Sequence, residues 1–280
     1  MLSVFAGATV VWDFCPVDVA AAPPFAVADQ PNPAVPAGSE TPQRLESVKL
    51  PAGAAAVQGL TLTKTHYFGT NNSGGAGLIH RYDTDWKLIE TKRLKVDGVD
   101  HIGAISHFKG FLWAGWLSTG KVRRAIVTQI RIEDLTIKRQ FDISADVNWI
   151  DPVCYDGKHV WVGDLSDLGI HRYTIDKDQL TRDAVFKYPA GMHFSQGLVI
   201  RGRNLYSIHT FGELDGLFEF SIASLKADRV NEPRRSWPID ESTMHLEGFD
   251  FIPGTKDEIW HAQGQQVDRW RLTGIGKPAR

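Results

Sequence analysis

From residue 44 onward the chain is built of short apolar runs separated by polar turns. Four segments alternate cleanly: Leu78-Ile79-His80-Arg81-Tyr82, Gly169-Ile170-His171-Arg172-Tyr173, Leu217-Phe218-Glu219-Phe220 and Val267-Asp268-Arg269-Trp270. A period of two predicts half-buried β-strands. Shorter runs beside a small residue or proline precede them: Gln58-Gly59-Leu60, Ile102-Gly103-Ala104, Asp151-Pro152-Val153, Gln196-Gly197-Leu198 and Glu247-Gly248-Phe249. These recur at intervals of about 43 to 51 residues, within the range of repeat architectures.

Each repeat has the same internal order. The opening run is followed in most repeats by a turn such as Phe108-Lys109-Gly110, Tyr155-Asp156-Gly157, Arg201-Gly202-Arg203 or Pro253-Gly254-Thr255, whose Gly and Asp supply hairpin backbone angles. A second strand then carries an aromatic at one fixed place: Tyr67, Trp113, Trp161, Tyr206 and Trp260. Such a column suits neighbouring sheets packed face to face and predicts an inter-blade core. After the alternating third strand comes an outer one, in Lys92–Val96, Arg139–Ile143, Ala184–Tyr188 and Arg235–Ile239. Pro238 is acceptable there because an edge strand tolerates a missing donor.

Five opening runs thus face four outer strands, and the missing one lies ahead of the first repeat, in Leu45–Leu50. The prediction is an all-β fold, a five-bladed β-propeller over residues 44–280 whose N-terminal strand closes the last blade and removes exposed edges.

Residues 1–43 read differently. Leu2–Trp12 is mostly apolar and Ala20–Ala37 is rich in Ala and Pro. Small-residue sites at Ala20-Ala21-Ala22 and Ala26-Val27-Ala28 resemble signal-peptidase sites, but no Lys or Arg precedes Arg44. An export leader and a disordered tether stay open, so the expected location is secreted or periplasmic, otherwise cytoplasmic.

Composition narrows the function classes. A formal charge of −2, with 31 basic residues scattered among 33 acidic ones, argues against nucleic-acid binding, which needs concentrated Lys and Arg. No apolar run of about 18 residues predicts a membrane helix. The two cysteines, Cys15 and Cys154, exclude a disulfide scaffold and a four-cysteine zinc module, and Cys154 reads as a buried small hydrophobe. A monomer with a small-molecule or peptide ligand is expected.

Inner strands of a propeller converge on its axis, so the residues beside the repeated small residue form the first candidate row: Gln58, Ile102, Asp151, Gln196 and Glu247. His101, His193 and His245 stand just before three of these positions. Asp151, Glu247, His101, His193 and His245 are the expected catalytic set. Asp151, Glu247 and His101 are the candidate ligands for one divalent cation, oxygen donors favouring calcium and imidazoles favouring zinc or iron. Without a metal, Asp151 and Glu247 form an acid and base pair if burial separates their proton affinities.

A second row lies three residues past the aromatic column, in Thr70, Trp116, Asp164, His209 and Gln263, with His261 nearby. Gln58, Gln196, Trp116, Asp164, His209 and His261 are the expected ligand-binding residues, with Trp116 and Phe211 as an apolar wall. Asn71-Asn72-Ser73-Gly74-Gly75 reads as a flexible turn.

Val57-Gln58-Gly59-Leu60, then Tyr67-Phe68-Gly69-Thr70 and Gly77–Asp83, resembles the opening blade of plant-type glutamine cyclotransferases. That family is a five-bladed propeller that converts N-terminal glutamine to pyroglutamate. Where it carries Glu-Gly at its second inner strand, this chain has Ile102-Gly103 after His101, so its catalytic roles are not carried over. Glu247-Gly248 and Asp151-Pro152 resemble gluconolactonase-type propellers, whose axial acidic residues hold a divalent metal and which usually have six blades. The expectation is an enzyme of hydrolase, lyase or cyclotransferase type acting on a small polar substrate at the channel mouth. The alternative is a non-catalytic propeller that binds a sugar, peptide or protein.

Overall fold

The computed structural model describes residues 39–51, 53–54, 58–166, 168–210, 214–239 and 246–275. Residues 1–38, including the apolar and Ala-rich segments and Cys15, lie outside the described residues, as do Phe211 and His245.

Five four-stranded antiparallel sheets form the blades of a β-propeller. Blade 1 holds β2 (Gly59–Leu62), β3 (Tyr67–Asn72), β4 (Gly77–Tyr82) and β5 (Leu88–Leu94). Blade 2 holds β6 (His101–Phe108), β7 (Phe111–Leu117), β8 (Ala125–Arg131) and β9 (Ile137–Asp142). Blade 3 holds β10 (Ile150–Tyr155), β11 (His159–Asp164), β12 (Gly169–Asp176) and β13 (Gln179–Lys187). Blade 4 holds β14 (Ser195–Arg201), β15 (Asn204–His209), β16 (Gly216–Ser221) and β17 (Arg235–Trp237). Blade 5 holds β18 (Phe249–Phe251), β19 (Glu258–Gln263) and β20 (Gln266–Arg271), and its outer strand is β1 (Gln43–Lys49).

The closure is the one the unequal strand count predicts. β1 pairs antiparallel with β20 from Gln43↔Arg271 to Lys49↔Gln266. Ser47 Oγ donates to Asp268 Oδ1 at 2.5 Å. Arg269 bonds Glu258 through Nε at 2.9 Å and Nη2 at 2.5 Å, and its Nη1 lies 3.5 Å from Glu46. The last blade is therefore stitched by charge as well as by its ladder.

Strand β8 is the third strand that alternation does not reveal. Its first four residues, Ala125-Ile126-Val127-Thr128, are all buried, because blades cover both of its faces. β3 also runs two residues into the segment expected as a turn. Asn72 is held in the strand by two bonds with Ile102, Oδ1 accepting from its N–H at 2.7 Å and Nδ2 donating to its carbonyl at 3.1 Å.

Five apolar cores alternate with the five blades, one at each junction. Trp113, Trp161, Tyr206 and Trp260 of the aromatic column each enter a different core, whereas Tyr67 joins Trp260 between blades 5 and 1, and it is Phe68, one residue on, that enters the core between blades 1 and 2. Trp113 of blade 2 packs 4.7 Å from Tyr155 of blade 3. Tyr206 of blade 4 meets Phe251 of blade 5 at 4.8 Å, and Trp260 of blade 5 meets Trp86 of blade 1 at 5.4 Å. Successive strand residues point to opposite faces, so each blade feeds two cores: Trp113 faces blade 3 while Leu112 and Ala114 face blade 1. Cys154 is buried in the core between blades 3 and 4, and burial pushes its thiol well above the ordinary range. Among the described residues no helix is long and apolar enough to cross a membrane.

Candidate active site

The axial row is shaped by a feature with no signature in the residue pattern. In three blades the innermost strand carries one residue more than its partner at that row. The register slips between Ile102 and Ile105 on β6, between Ile150 and Val153 on β10, and between Ser195 and Gly197 on β14. These are β-bulges, which kink a strand and re-aim a side chain. They fall on Gly103-Ala104, Asp151-Pro152 and Gln196. On β6 the bulge is tied from the next blade, where Thr70 Oγ1 donates to the Gly103 carbonyl at 2.9 Å.

Convergence on the axis explains the repeated glycine. A methyl group on Gly103 would stand 2.2 Å from Asp151 Oδ1, and one on Gly248 would stand 2.4 Å from the Leu60 backbone nitrogen and 2.6 Å from Gly59 Cα. Only hydrogen fits where backbones approach this closely.

Asp151 and Glu247 are buried, 5% and 7% exposed. Asp151 Oδ1 accepts one hydrogen bond, from the Ala104 N–H at 2.9 Å. Burial raises Asp151 to about 7, against the smaller downward pull of that bond. Burial also raises Glu247 well above the usual carboxylate range, and the charge on Asp151 raises it further. Two like charges in one desolvated place separate their proton affinities, so the pair takes up and releases protons as a unit.

Around them stand amides and neutral imidazoles. Gln196 Oε1 and Glu247 Oε2 are buried and make no hydrogen bond among the described residues. His101 Nε2 lies 2.6 Å from Gln58 Oε1, and the carbonyl oxygen can only accept, so His101 carries its proton on Nε2. Burial holds His101 down at about 4, with Asp100 opposing. His193 presents its backbone carbonyl to His209 Nδ1 at 2.5 Å. His101 and Gln58 thus meet directly, and Asp151 lies within electrostatic reach of Glu247. Among the described residues no three His, Cys, Asp or Glu side chains form a metal-binding group.

The chain has the architecture of known five-bladed propellers. Among solved structures, Myxococcus xanthus glutaminyl cyclase superposes with a TM-score of 0.62 at 12% identity, covering 84% of this chain and 97% of that one. A luciferin-regenerating enzyme (TM-score 0.48, 11% identity, 84% and 98% covered) and a streptogramin B lyase (0.42, 13%, 81% and 97%) are more distant and carry no argument. No protein-family model and no curated protein sequence matches the chain. The likeness is one of fold.

The second candidate row is buried. Trp116 and His209 are fully buried, Asp164 is 4% exposed, and His261 is fully buried. An odd offset of three from the aromatic column turns these side chains to the opposite face of each blade, and that face is another inter-blade core. Trp116 packs in the core between blades 1 and 2, its Nε1 donating to Thr128 Oγ1 at 2.8 Å. His209 shares a buried chain of hydroxyls, its Nε2 2.8 Å from Ser207 Oγ, which lies 2.8 Å from Ser195 Oγ. Burial lowers His209 and His261 to about 3.

At the opposite end of the axis stands a cluster outside both candidate rows. Thr61 Oγ1 donates to Asp250 Oδ2 at 2.7 Å, and the Leu62 N–H donates to the same oxygen at 2.9 Å. His107 Nδ1 lies 3.0 Å from Thr61 Oγ1 and 3.6 Å from Asp250. The available signal was His107 immediately before the Phe108-Lys109-Gly110 turn, at the far end of an inner strand.

Proposed function

We propose that the chain is an enzyme that moves protons on a small polar substrate at the axial mouth, with Asp151 as general base and Glu247 as general acid. The observation that carries this reading is a pair of buried carboxyls, both raised by burial, with Glu247 raised further by the charge of Asp151. At neutral pH Asp151 is poised between its two forms, and a base near the working pH transfers protons most effectively. Asp151 takes a proton from an attacking water or amine, and protonated Glu247 gives one to the departing group. Gln58, Gln196 and the neutral His101 supply donors and acceptors that orient the substrate. The reaction class is hydrolysis, elimination or intramolecular cyclisation, and the glutaminyl cyclase likeness adds N-terminal glutamine peptides to the substrates worth trying.

A second reading places a hard divalent cation among Asp151, Glu247 and Gln196, because two buried oxygens there lack partners and a cation relieves the repulsion between the carboxyls. When bound, such an ion would polarise a carbonyl or activate water. The donors are oxygens, which suits calcium better than zinc.

The test is a carbon-13 titration of the carboxyls, joined to turnover of glutaminyl peptides, lactones and small esters. One carboxyl titrating near pH 7 in wild type, and turnover lost in both Glu247→Gln and Asp151→Asn, support the acid and base reading. Stoichiometric calcium or zinc by elemental analysis, lost in Glu247→Gln, moves the assignment to the second reading. Both carboxyls titrating below about pH 5, with no substrate turned over, leave a non-catalytic binding propeller.

A further inference from the structure

We propose that the opposite end of the propeller carries a second binding site, for a small organic anion with an apolar or aromatic body. A cavity of about 690 Å³ opens there, bounded by inner-strand ends and turns of blades 2, 3 and 4 and by Asp250 of blade 5. That volume is of the size that holds a small ligand. This inference stands on different residues from the acid pair and does not depend on it.

The charges in the cavity are unevenly committed. Its carboxylates are already served: Asp156 accepts from the Lys158 N–H at 2.7 Å, the His159 N–H at 2.6 Å and Trp161 Nε1 at 2.9 Å. Asp250 accepts from Thr61, from Leu62 and, through Oδ1, from the Phe251 N–H at 2.7 Å. Arg172 turns its Nε to Asp183 at 2.8 Å. The exposed side chains of Lys158 and Arg203 line the same cavity and form no ion pair among the described residues. A carboxylate holding three donors offers little to an incoming cation, whereas a free ammonium and a free guanidinium attract an anion.

When protonated, His107 adds a third donor. The single proton of Thr61 goes to Asp250, so His107 Nδ1 donates to Thr61. The ring, 35% exposed, keeps Nε2 without a protein partner among the described residues. Burial draws the imidazole down, but the bond and charge of Asp250 outweigh it and leave its proton affinity above the ordinary value. Phe108, Tyr155 and Ile200 give the walls their apolar character. Phe108 and Tyr155 meet edge to face at 5.1 Å, and Lys109 caps the Phe108 ring at 5.2 Å.

The full chain is titrated with benzoate and phenyl phosphate, and separately with benzamide and benzylamine, while the ring resonances of Phe108 and Tyr155 are followed by NMR. Both anions are expected to shift these rings saturably. The neutral and cationic analogues are expected to bind at least about ten-fold more weakly. In the Lys158→Gln/Arg203→Gln variant, at exposed positions that leave the fold intact, benzoate binding falls by about the same factor. Stronger saturation by phenyl phosphate identifies a phosphate ester as the ligand type, and stronger saturation by benzoate a carboxylate. The proposal is overturned if benzamide binds as well as benzoate, if no anion saturates, or if the double variant binds benzoate unchanged.

Discussion

Asp151 and Asp156 bracket the same inner strand, β10, and yet they hold their protons on opposite sides of the ordinary aspartate value. Asp151 sits at the converging end with one N–H donor, and burial prevails, raising it to about 7. Asp156 sits at the turn, where burial also opposes ionisation, but two backbone N–H groups, Trp161 and His159 outweigh it and hold the carboxyl below its usual range. The difference is a count of donors. Where a carboxylate is placed in a hairpin turn, the turn's own amides solvate it; where it is placed on a bulge facing the axis, a single amide stands in for the lost water. The first arrangement serves the fold, and the second leaves a group ready to exchange protons.

The contrast is broken most severely at the axis. Gly103→Ala would set a methyl group 2.2 Å from Asp151 Oδ1 and 2.8 Å from its backbone oxygen. A loss of roughly 3 to 5 kcal/mol in denaturant unfolding is expected, because backbone, not a flexible chain end, must give way. An alanine variant of near-wild-type stability would mean that the inner strands are not so close, and that Asp151 is not walled in.

Asp151→Asn sharpens the comparison through pH. The folded carboxyl binds its proton to about 7 against 3.8 in a free chain, so the folded state holds more protons between those values and stability falls as pH rises through that window. Above pH 7 the accumulated penalty is about 4 kcal/mol, and Asn removes it while still accepting from Ala104. The variant should therefore be more stable than wild type at pH 8 and nearly equal at pH 4. An unchanged pH profile of urea midpoints would show that Asp151 reaches water.

The smallest effect belongs to Asp156→Asn, with the sign reversed. A depressed carboxyl adds stability that is present above its free value of 3.8 and is lost as pH falls through the lower folded value. The variant should lose about 2 kcal/mol at pH 7 from weakened charge-assisted bonds, and the deficit should close in strong acid. Equal stability at neutral pH would imply that the turn amides are satisfied without the charge.

Much of the architecture was legible in the residues. The aromatic column, the repeated small residue and the surplus of inner over outer strands led to five blades and to β1 as the closing strand. Local chemistry was enough because each blade repeats the same short-range pairings. In the axial row polar Gln58, Asp151, Gln196 and Glu247 interrupt apolar runs, and the structure buries Asp151, Gln196 and Glu247 there. The burial of its second companion, Trp116, Asp164, His209 and His261, was not legible, because spacing along the chain does not show how the blades cover one another.

What the sequence by itself determined is the number of blades, the order of strands within each and the column that glues them, since all three follow from spacing and alternation. The tertiary structure alone decided that bulges on β6, β10 and β14 re-aim the axial residues, that Asp151 and Glu247 feel each other's charge, and that His107 meets Asp250. The physical reason is distance: these residues lie a blade or more apart along the chain, and burial and Coulomb interaction depend on separation in space, which only ring closure sets.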